Sequence, residues 1–277
     1  SPGATLAAGI GFPIACVIVV AARFLTRRFL RSEILIDDWL TIPALAFTTG
    51  MGICLIIGVT RKGLGYPTPQ PLDPKDTLTF VAPETVITRK VEYSIELLQF
   101  PALTCTKLSL LLFYRRIFCT PWRRTLNAIF SIMIVICILW GFGFFFSTTF
   151  ICGAHFSAFW TTVRDLRTHC PNLLTEQAWL ACSDFVIDAI IFLIPIPLIL
   201  RLQMSFGRKV AVLVIFLFAV FTVAASITRM VIFLRAIQNL KKKYASTGYD
   251  NLIITAGLYF TNIETSLSLI VVCLPSL

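Results

Sequence analysis

Six ionisable side chains lie inside stretches of this sequence that are otherwise apolar and long enough to cross a lipid bilayer. They are Glu96, Lys107, Asp184, Asp188, Arg229 and Glu264. A charge at the centre of a membrane helix costs at least about 2.5–3.5 kcal/mol, so such residues face protein or water and often mark a functional site. Carboxylates placed there can pair with a cation, bind a ligand or act as general acid and base.

The elements that must position these side chains are long apolar segments. Hydrophobic residues make up 57% of the 277 residues, against roughly 45–50% in an ordinary soluble domain. About 20 mainly apolar residues cross a bilayer. Seven segments have that length and composition: residues 5–22, 39–59, 91–113, 126–150, 177–200, 210–234 and 252–274. The sequence therefore predicts an all-α membrane protein, with a single seven-transmembrane helix bundle over residues 1–277.

The loops predict how this bundle is oriented. Basic residues are equally numerous on the two sides, but those after the first, third and fifth spans are concentrated in short connections, which the positive-inside rule places in the cytoplasm. Cys152 and Cys170 share the loop between the fourth and fifth spans, where they either form a disulfide in an oxidising compartment or remain free thiols. We predict the N-terminus outside, the C-terminus inside, and a Cys152–Cys170 disulfide that folds the loop into a lid.

The basic residues predict the lipid bilayer as a partner, and the histidine spacing bears on whether the chain binds a metal. The net charge of +10 comes from basic residues that border the spans, where they set topology and meet anionic headgroups, so we predict no nucleic-acid partner. His155 and His169 lie beside the two loop cysteines, but their spacing is not that of a zinc finger. We therefore predict no metal.

Depth in the bundle separates the six charges into two groups. With the N-terminus outside, five of them fall in the outer half, whereas Lys107, three helical turns beyond Glu96, lies deeper. Glu92 falls in the first turn of its span and is expected to reach the headgroups, so it is not counted among the six.

Two carboxylates in the fifth span have a predicted partner in the sixth. Asp184 and Asp188 are four residues apart and therefore share one face of a helix. Because these spans are consecutive, we expect Arg229 to pair with one of the two aspartates. The alternatives are that the charges line an outward-facing polar cavity for a ligand, or form a proton or cation pathway.

One block of sequence has a recognisable pattern at the end of the third span. It runs from Lys107 to Phe118 and reads Lys-Leu-Ser-Leu-Leu-Leu-Phe-Tyr-Arg-Arg-Ile-Phe. Further matching residues are Arg23, Asp37, Asp38, Gly63, Gly65, Cys152, Cys170, Asp188, the Ile194–Pro197 stretch, Arg229, Glu264 and the Cys273–Pro275 stretch. With these residues the chain resembles the fungal rhodopsin-like seven-transmembrane family, which includes integral membrane proteins of the satratoxin-cluster type. The bundle is also similar to that of fungal adhesion-sensing receptors.

The resemblance implies a multi-pass membrane protein with one of two functions. The first is receptor-like, with an outward-facing polar cavity for a small hydrophobic molecule or surface cue and a cytoplasmic signalling partner. The alternative is a membrane-embedded enzyme or accessory factor of fungal secondary metabolism, in which Asp184, Asp188 and Glu264 exchange protons with a hydrophobic substrate. The last span contains no lysine that could form a Schiff base with retinal, so we predict no cofactor.

Overall fold

The computed structural model describes residues 2–31, 33–66, 82–118, 124–170, 173–194, 220, 224, 226–228, 230–231 and 251–274. These ranges contain eight α-helices: α1 (Pro2–Phe29), α2 (Ile36–Trp39), α3 (Thr41–Thr60), α4 (Pro83–Phe118), α5 (Arg124–Thr149), α6 (Val163–His169), α7 (Leu173–Leu193) and α8 (Asn251–Cys273). A short 3₁₀ turn at Phe156–Phe159 precedes α6. The described part of the chain contains no strand, so the all-α prediction agrees with it.

Five helical segments are long and apolar enough to cross a membrane. They are Pro2–Phe29, Ile36–Thr60, Pro83–Phe118, Arg124–Thr149 and Ile254–Cys273. The chain is therefore a multi-pass membrane protein, as predicted. Two of the seven predicted spans are not among these five.

The two remaining predicted spans differ in how far the structure describes them. The fifth, at 177–200, coincides with α7 up to Leu193, but α7 carries three acidic residues, Glu176, Asp184 and Asp188, within its 21 residues. The sixth, at 210–234, lies outside the described residues except for a few helical positions between 220 and 231, and Arg229 is not among those positions.

Helix α4 lies at the centre of the described bundle. It packs against α2, α3, α5, α7 and α8, while α1 packs against α3 and α8. Large apolar side chains on the outer surfaces of α1 and α5 are exposed, among them Ile18, Leu139 and Phe142. Since a bilayer surrounds these helices, those side chains face lipid. Four charged side chains of α4, by contrast, are buried inside the protein: Arg89, Glu92, Glu96 and Lys107.

The structure gives a reason for one glycine of the sequence pattern, Gly65. It follows α3 with φ +84°, and a Cβ there would lie 2.8 Å from Cα of Pro2. Its amide nitrogen donates to the Thr255 hydroxyl of α8 at 3.0 Å. Only glycine adopts this left-handed conformation without strain at such close approach, so Gly65 ties the end of α3 to both α1 and α8.

Helices α1 and α3 approach each other through small residues, as membrane helices often do. A Cβ on Gly52 would lie 2.6 Å from Cγ of Pro13 and 2.7 Å from the carbonyl oxygen of Gly9. We expect Gly52→Ala to lower the free energy of unfolding by about 1–3 kcal/mol through overpacking, measured as a fall in the thermal unfolding midpoint in detergent. Gly143→Ala is the matched control, since nothing lies within 4 Å of that position on α5. An equal response of both variants would contradict the close packing of α1 on α3.

The predicted Cys152–Cys170 disulfide is present and closes the loop between α5 and α7. Cys152 and Cys170 are both buried with Phe159 in a small apolar cluster. Tyr93 of α4 packs on this loop, with its ring centroid 5.1 Å from that of Phe159 and 6.1 Å from that of Trp160. The loop therefore covers the end of the bundle at which α4 begins.

Candidate functional site

A buried lysine joins α4 to α7 near the middle of the bundle. The Lys107 Nζ lies 3.0 Å from Asp184 Oδ1 and forms an ion pair and a hydrogen bond with Asp188 Oδ1. Lys107 is 5% exposed and Asp184 is fully buried. The ammonium also lies 5.6 Å from the centroid of the Trp140 ring, which adds a cation–π contact. Charges removed from water in this way must be paired, and here the pairing partners are carboxylates.

Glu264 of α8 brings a third helix to the same centre. Its carboxylate and those of Asp184 and Asp188 offer oxygens within 4.8 Å of one another. Glu264 is fully buried and accepts a hydrogen bond from the Ser226 hydroxyl. We call Lys107, Asp184, Asp188 and Glu264 the Lys107 centre. Such a carboxylate set suits a hard cation, but the Lys107 ammonium already lies against two of its members.

The sequence predicted Lys107 deeper than the carboxylates, and in this respect the prediction was wrong. The predicted starts of the third and fifth spans, 91 and 177, imply an offset of 86 between facing residues. In the structure Gln177 meets Glu96 and Asp188 meets Lys107, each pair separated by 81 residues. Helix α7 is therefore displaced by five residues, roughly 7.5 Å along the axis, which brings both aspartates level with Lys107. The predicted pairing of Arg229 with one of them concerns a residue outside the described ones and stays a prediction.

Glu96 belongs to a second polar site nearer the disulfide. Its Oε1 accepts a hydrogen bond of 2.6 Å from Gln177 Nε2, and it lies one turn from Glu92 on the same face of α4. Glu92 was expected at the headgroups, but it is only 5% exposed and pairs with Arg89 at 3.1 Å. Because α4 begins eight residues before the predicted span, this turn lies inside the protein. We call Arg89, Glu92, Glu96 and Glu176 the outer carboxylate cluster.

An apolar layer separates the two polar sites. Phe100, Leu103 and Leu180 lie between them along α4 and α7, and all three are almost fully buried. The six residues singled out from the sequence thus do not form one site among the described residues. Lys107, Asp184, Asp188 and Glu264 are together, and Glu96 is apart.

A small cavity opens onto the Lys107 centre from the side away from the disulfide. It measures about 50 Å³ and lies between α4, α7 and α8, enough for a few water molecules. The polar groups on its wall include those of Lys107 and Asp188, and Tyr114 lies toward the end of α4. The apolar part of the lining consists largely of Leu110, Ile191, Phe192, Val271 and Val272. This cavity lies in the half of the bundle away from the disulfide loop, and the outward-facing polar cavity predicted from the sequence stays a prediction.

A third ion network closes the end of the bundle beyond this cavity. Arg23 of α1 is fully buried and donates from Nε to Asp38 Oδ1 at 2.7 Å and from Nη2 to Asp37 Oδ2 at 3.1 Å. Its Nη1 donates to the carbonyl oxygen of Val272 in α8 at 2.6 Å. The Ser109 hydroxyl of α4 donates to the carbonyl oxygen of Asp37 at 2.6 Å. The sequence marked Arg23 and the two aspartates only as pattern residues, although opposite charges at adjoining ends of two spans were a signal for this contact.

Together these features define a class: a multi-pass helical membrane protein with a charged centre inside its bundle. The chain belongs to the family of the fungal rhodopsin domain, whose profile matches residues 22–277. This confirms the resemblance found in the sequence.

Two relatives are named after biosynthetic gene clusters. The Polyenoic acids biosynthesis gene cluster protein Ba17b of Metarhizium anisopliae is 26% identical over 204 residues, covering 73% of this chain and 52% of that protein. The Phomoidride biosynthesis cluster protein H of Fungal sp. (strain ATCC 74256) is 32% identical over 114 residues, covering 39% of this chain and 38% of that protein. The chain thus spans about half of the first relative's length and 38% of the second relative's length. No solved structure gives a significant match.

Proposed function

We propose that this protein is a membrane-embedded accessory factor of fungal secondary metabolism that binds a small amphipathic molecule at the Lys107 centre. The observation that carries the proposal is the cavity, which joins a charged end at Lys107 and Asp188 to apolar walls. Ligand sites of this kind combine a mainly apolar lining with a few polar groups that fix orientation. The names of the two relatives support a role in secondary metabolism.

The size of the cavity sets how such a molecule binds. About 50 Å³ admits a polar head group but not a whole metabolite. The head group would contact Lys107 and Asp188, and the apolar part would lie toward Leu110 and Ile191. Since Lys107 and Asp188 already neutralise each other, the head group competes for hydrogen bonds rather than entering an empty charge site. The proposal involves no retinal, because α8 has no lysine.

A receptor-like function is the second candidate, and one contact favours it. Val272 lines the cavity and its carbonyl oxygen accepts the Arg23 hydrogen bond. A ligand that displaced α8 at the cavity would therefore also disturb the Arg23 network at the end of the bundle. In the proposed orientation that end is cytoplasmic, where Arg115 and Arg116 at the end of α4 would meet a signalling partner.

Orientation and the seven-helix topology are part of the proposal. The buried disulfide supports a non-cytoplasmic loop, because disulfides persist in oxidising compartments. We expect a membrane-impermeant reductant followed by an impermeant maleimide to label Cys152 and Cys170 in membranes oriented with their non-cytoplasmic face outward. In inverted vesicles Cys152 and Cys170 should remain unlabelled until detergent is added, as read from the labelled peptides. Labelling only in inverted vesicles would reverse the orientation.

Cavity binding can be tested with two neighbouring isoleucines. Ile191 is 3% exposed and lines the cavity, whereas Ile190 is 40% exposed on the same helix. We expect one member of a series of alkyl amines, alkanols and alkanoates of equal chain length to raise the unfolding midpoint of the wild-type protein. Ile191→Phe, which fills the cavity, should abolish the shift, and Ile190→Phe should keep it. Equal shifts in both variants would mean that the compounds act through the detergent and not at the cavity.

The two candidate functions predict different effects of deleting the gene. An accessory factor predicts that deletion changes the metabolites of one biosynthetic cluster while transcripts of that cluster stay constant. A receptor predicts that the transcripts change first. Complementation with Ile190→Phe should restore the wild-type state in either case, and complementation with Ile191→Phe should not.

A further inference from the structure

The outer carboxylate cluster lies apart from the Lys107 centre, and the proposed function does not use it. Glu92 and Glu96 are four residues apart on α4, at a spacing that places their Cβ atoms roughly 5–6 Å from each other. Glu176 of α7 is adjacent in sequence to Gln177, which contacts Glu96. Among the described residues, Arg89 is the cation that contacts the cluster, and it pairs with Glu92.

Among the carboxylates of this cluster, Glu96 has the fewest described contacts that would stabilise a negative charge. It is 4% exposed, and within the described part of the chain it forms no ion pair. Its Oε1 accepts the hydrogen bond from Gln177, while its Oε2 is buried and has no hydrogen-bond partner. A carboxylate oxygen that is neither solvated nor hydrogen-bonded is costly to keep ionised, and neighbouring carboxylates raise the cost further. The charged or titratable groups facing it are Arg89, Glu92, Tyr93 and Glu176.

A second buried group points to the same location. The Gln99 side chain lies one turn beyond Glu96 on the same face of α4, is 2% exposed, and its Nε2 has no hydrogen-bond partner. A protonated Oε2 on Glu96 and the Nε2 of Gln99 are both donors, and one buried water molecule can accept a hydrogen bond from each of them. Metal coordination is less suited, because the described carboxylates that converge within metal-binding reach are those of Asp184, Asp188 and Glu264.

We propose that Glu96 is a proton-binding site, with the proton on Oε2 at neutral pH. Glu176 is only half-buried and accepts a hydrogen bond from Thr148 at 3.3 Å. It provides the route by which the proton exchanges with the compartment that the disulfide loop faces. The site therefore binds a proton from that compartment at the contact between α4 and α7. Release of the proton leaves a charge between the two helices that also hold the Lys107 centre.

Whether the stability of the folded protein rises or falls with pH follows from the state of Glu96 in the unfolded chain. There its carboxyl is in water and ionised above about pH 4.3, whereas in the folded protein it keeps its proton. Folding then takes up one proton, so the ratio of folded to unfolded protein falls about tenfold for each unit of rising pH until the folded state also loses the proton. A carboxylate paired with a cation gives the opposite slope.

Infrared spectroscopy of the full purified chain tests the proposal directly. We expect the wild type at neutral pH to show the carbonyl stretch of a protonated, buried carboxylic acid. Glu96→Gln should lose that band, while Glu33→Gln, on an exposed residue, should retain it. Glu96→Gln mimics the neutral acid and does not titrate in the unfolded chain, so its unfolding midpoint should equal that of the wild type at about pH 4.3 and exceed it increasingly as the pH rises.

Two results would overturn the proposal. One is the absence from the wild type of any carboxylic acid band that Glu96→Gln removes. The other is a wild-type midpoint that depends on sodium or potassium at constant pH and ionic strength, when that dependence disappears in Glu96→Gln. The site would then bind a metal cation in place of a proton. Neither result bears on the cavity at Lys107, whose test uses the isoleucine pair.

Discussion

Replacing Lys107 with methionine is expected to lower the free energy of unfolding by about 3–5 kcal/mol, because the change leaves two buried carboxylates without their ammonium. Asp184 is fully buried and Asp188 has a side chain 15% exposed, so neither can recover its hydration in place. The measurement is the unfolding midpoint in detergent, or the denaturing-detergent concentration at half-unfolding. Lys90→Met on the exposed side of the same helix is the control, with an effect below about 1 kcal/mol.

A second substitution separates loss of pairing from loss of packing. Lys107→Met combined with Asp188→Asn removes one of the two charges that lost the ammonium and should recover much of the lost stability. Lys107→Met combined with Asp37→Asn, in the distant Arg23 network, should recover none. A Lys107→Met protein as stable as the wild type would mean that the carboxylates take up protons at no cost, and the ammonium would then have no structural role.

Arg23→Met should have an effect of similar size through a different part of the bundle. Arg23 is fully buried and holds Asp37, Asp38 and the carbonyl oxygen of Val272 at once. Its removal leaves the Val272 carbonyl oxygen without this donor and leaves the two buried carboxylates to Arg27, which lies 3.6 Å from Asp37 and 3.5 Å from Asp38, so we expect about 3 kcal/mol, the lower end of the range for a broken buried pair. Hydrogen exchange should increase at the end of α8, near Val272.

Two control variants sharpen this prediction. Arg28→Met, on an exposed arginine of the same helix, should leave both stability and exchange unchanged. Arg23→Lys should behave almost like Arg23→Met, because a lysine cannot direct three donor groups to three acceptors in the plane of a guanidinium. Full stability of Arg23→Lys would show that charge alone, without the fork geometry, holds this end of the bundle.

The helices were predictable from the sequence because long apolar runs have few alternatives in a membrane. The predicted segments 39–59 and 126–150 differ from the observed α3 (Thr41–Thr60) and α5 (Arg124–Thr149) by one or two residues. Helices α1 and α4 extend further than predicted. Their ends carry charges such as Arg27 and Lys90, which mark where the bilayer stops and not where the helix stops.

The arrangement of the charges was only partly predictable, since it depends on how far one helix is displaced along another. Aligning the predicted starts of two spans placed Lys107 below Asp184 and Asp188, whereas a shift of five residues brings it into contact with both. Glu92 was placed at the headgroups for a different reason, since the span was expected to begin at residue 91 and α4 begins at Pro83. Arg23 was overlooked as part of a site for another reason: charges near the ends of spans are expected in water, and burial at such a position leaves no trace in hydropathy.

The length of α4 has an electrical consequence for the Lys107 centre. Lys90 and Arg116 are exposed charges of α4 that mark its two membrane boundaries, roughly 39 Å apart along the helix, and Lys107 lies roughly 14 Å from Arg116. A charged molecule that reaches Lys107 through the cavity crosses about a third of the membrane potential, which contributes about 0.8 kcal/mol per elementary charge for each 100 mV. With the Arg116 end in the cytoplasm, as proposed, a negatively charged ligand binds about fourfold more tightly for each such step of hyperpolarisation. The affinity of a neutral ligand does not change with the membrane potential. The dependence of affinity on voltage therefore reveals the charge of the molecule that occupies the cavity.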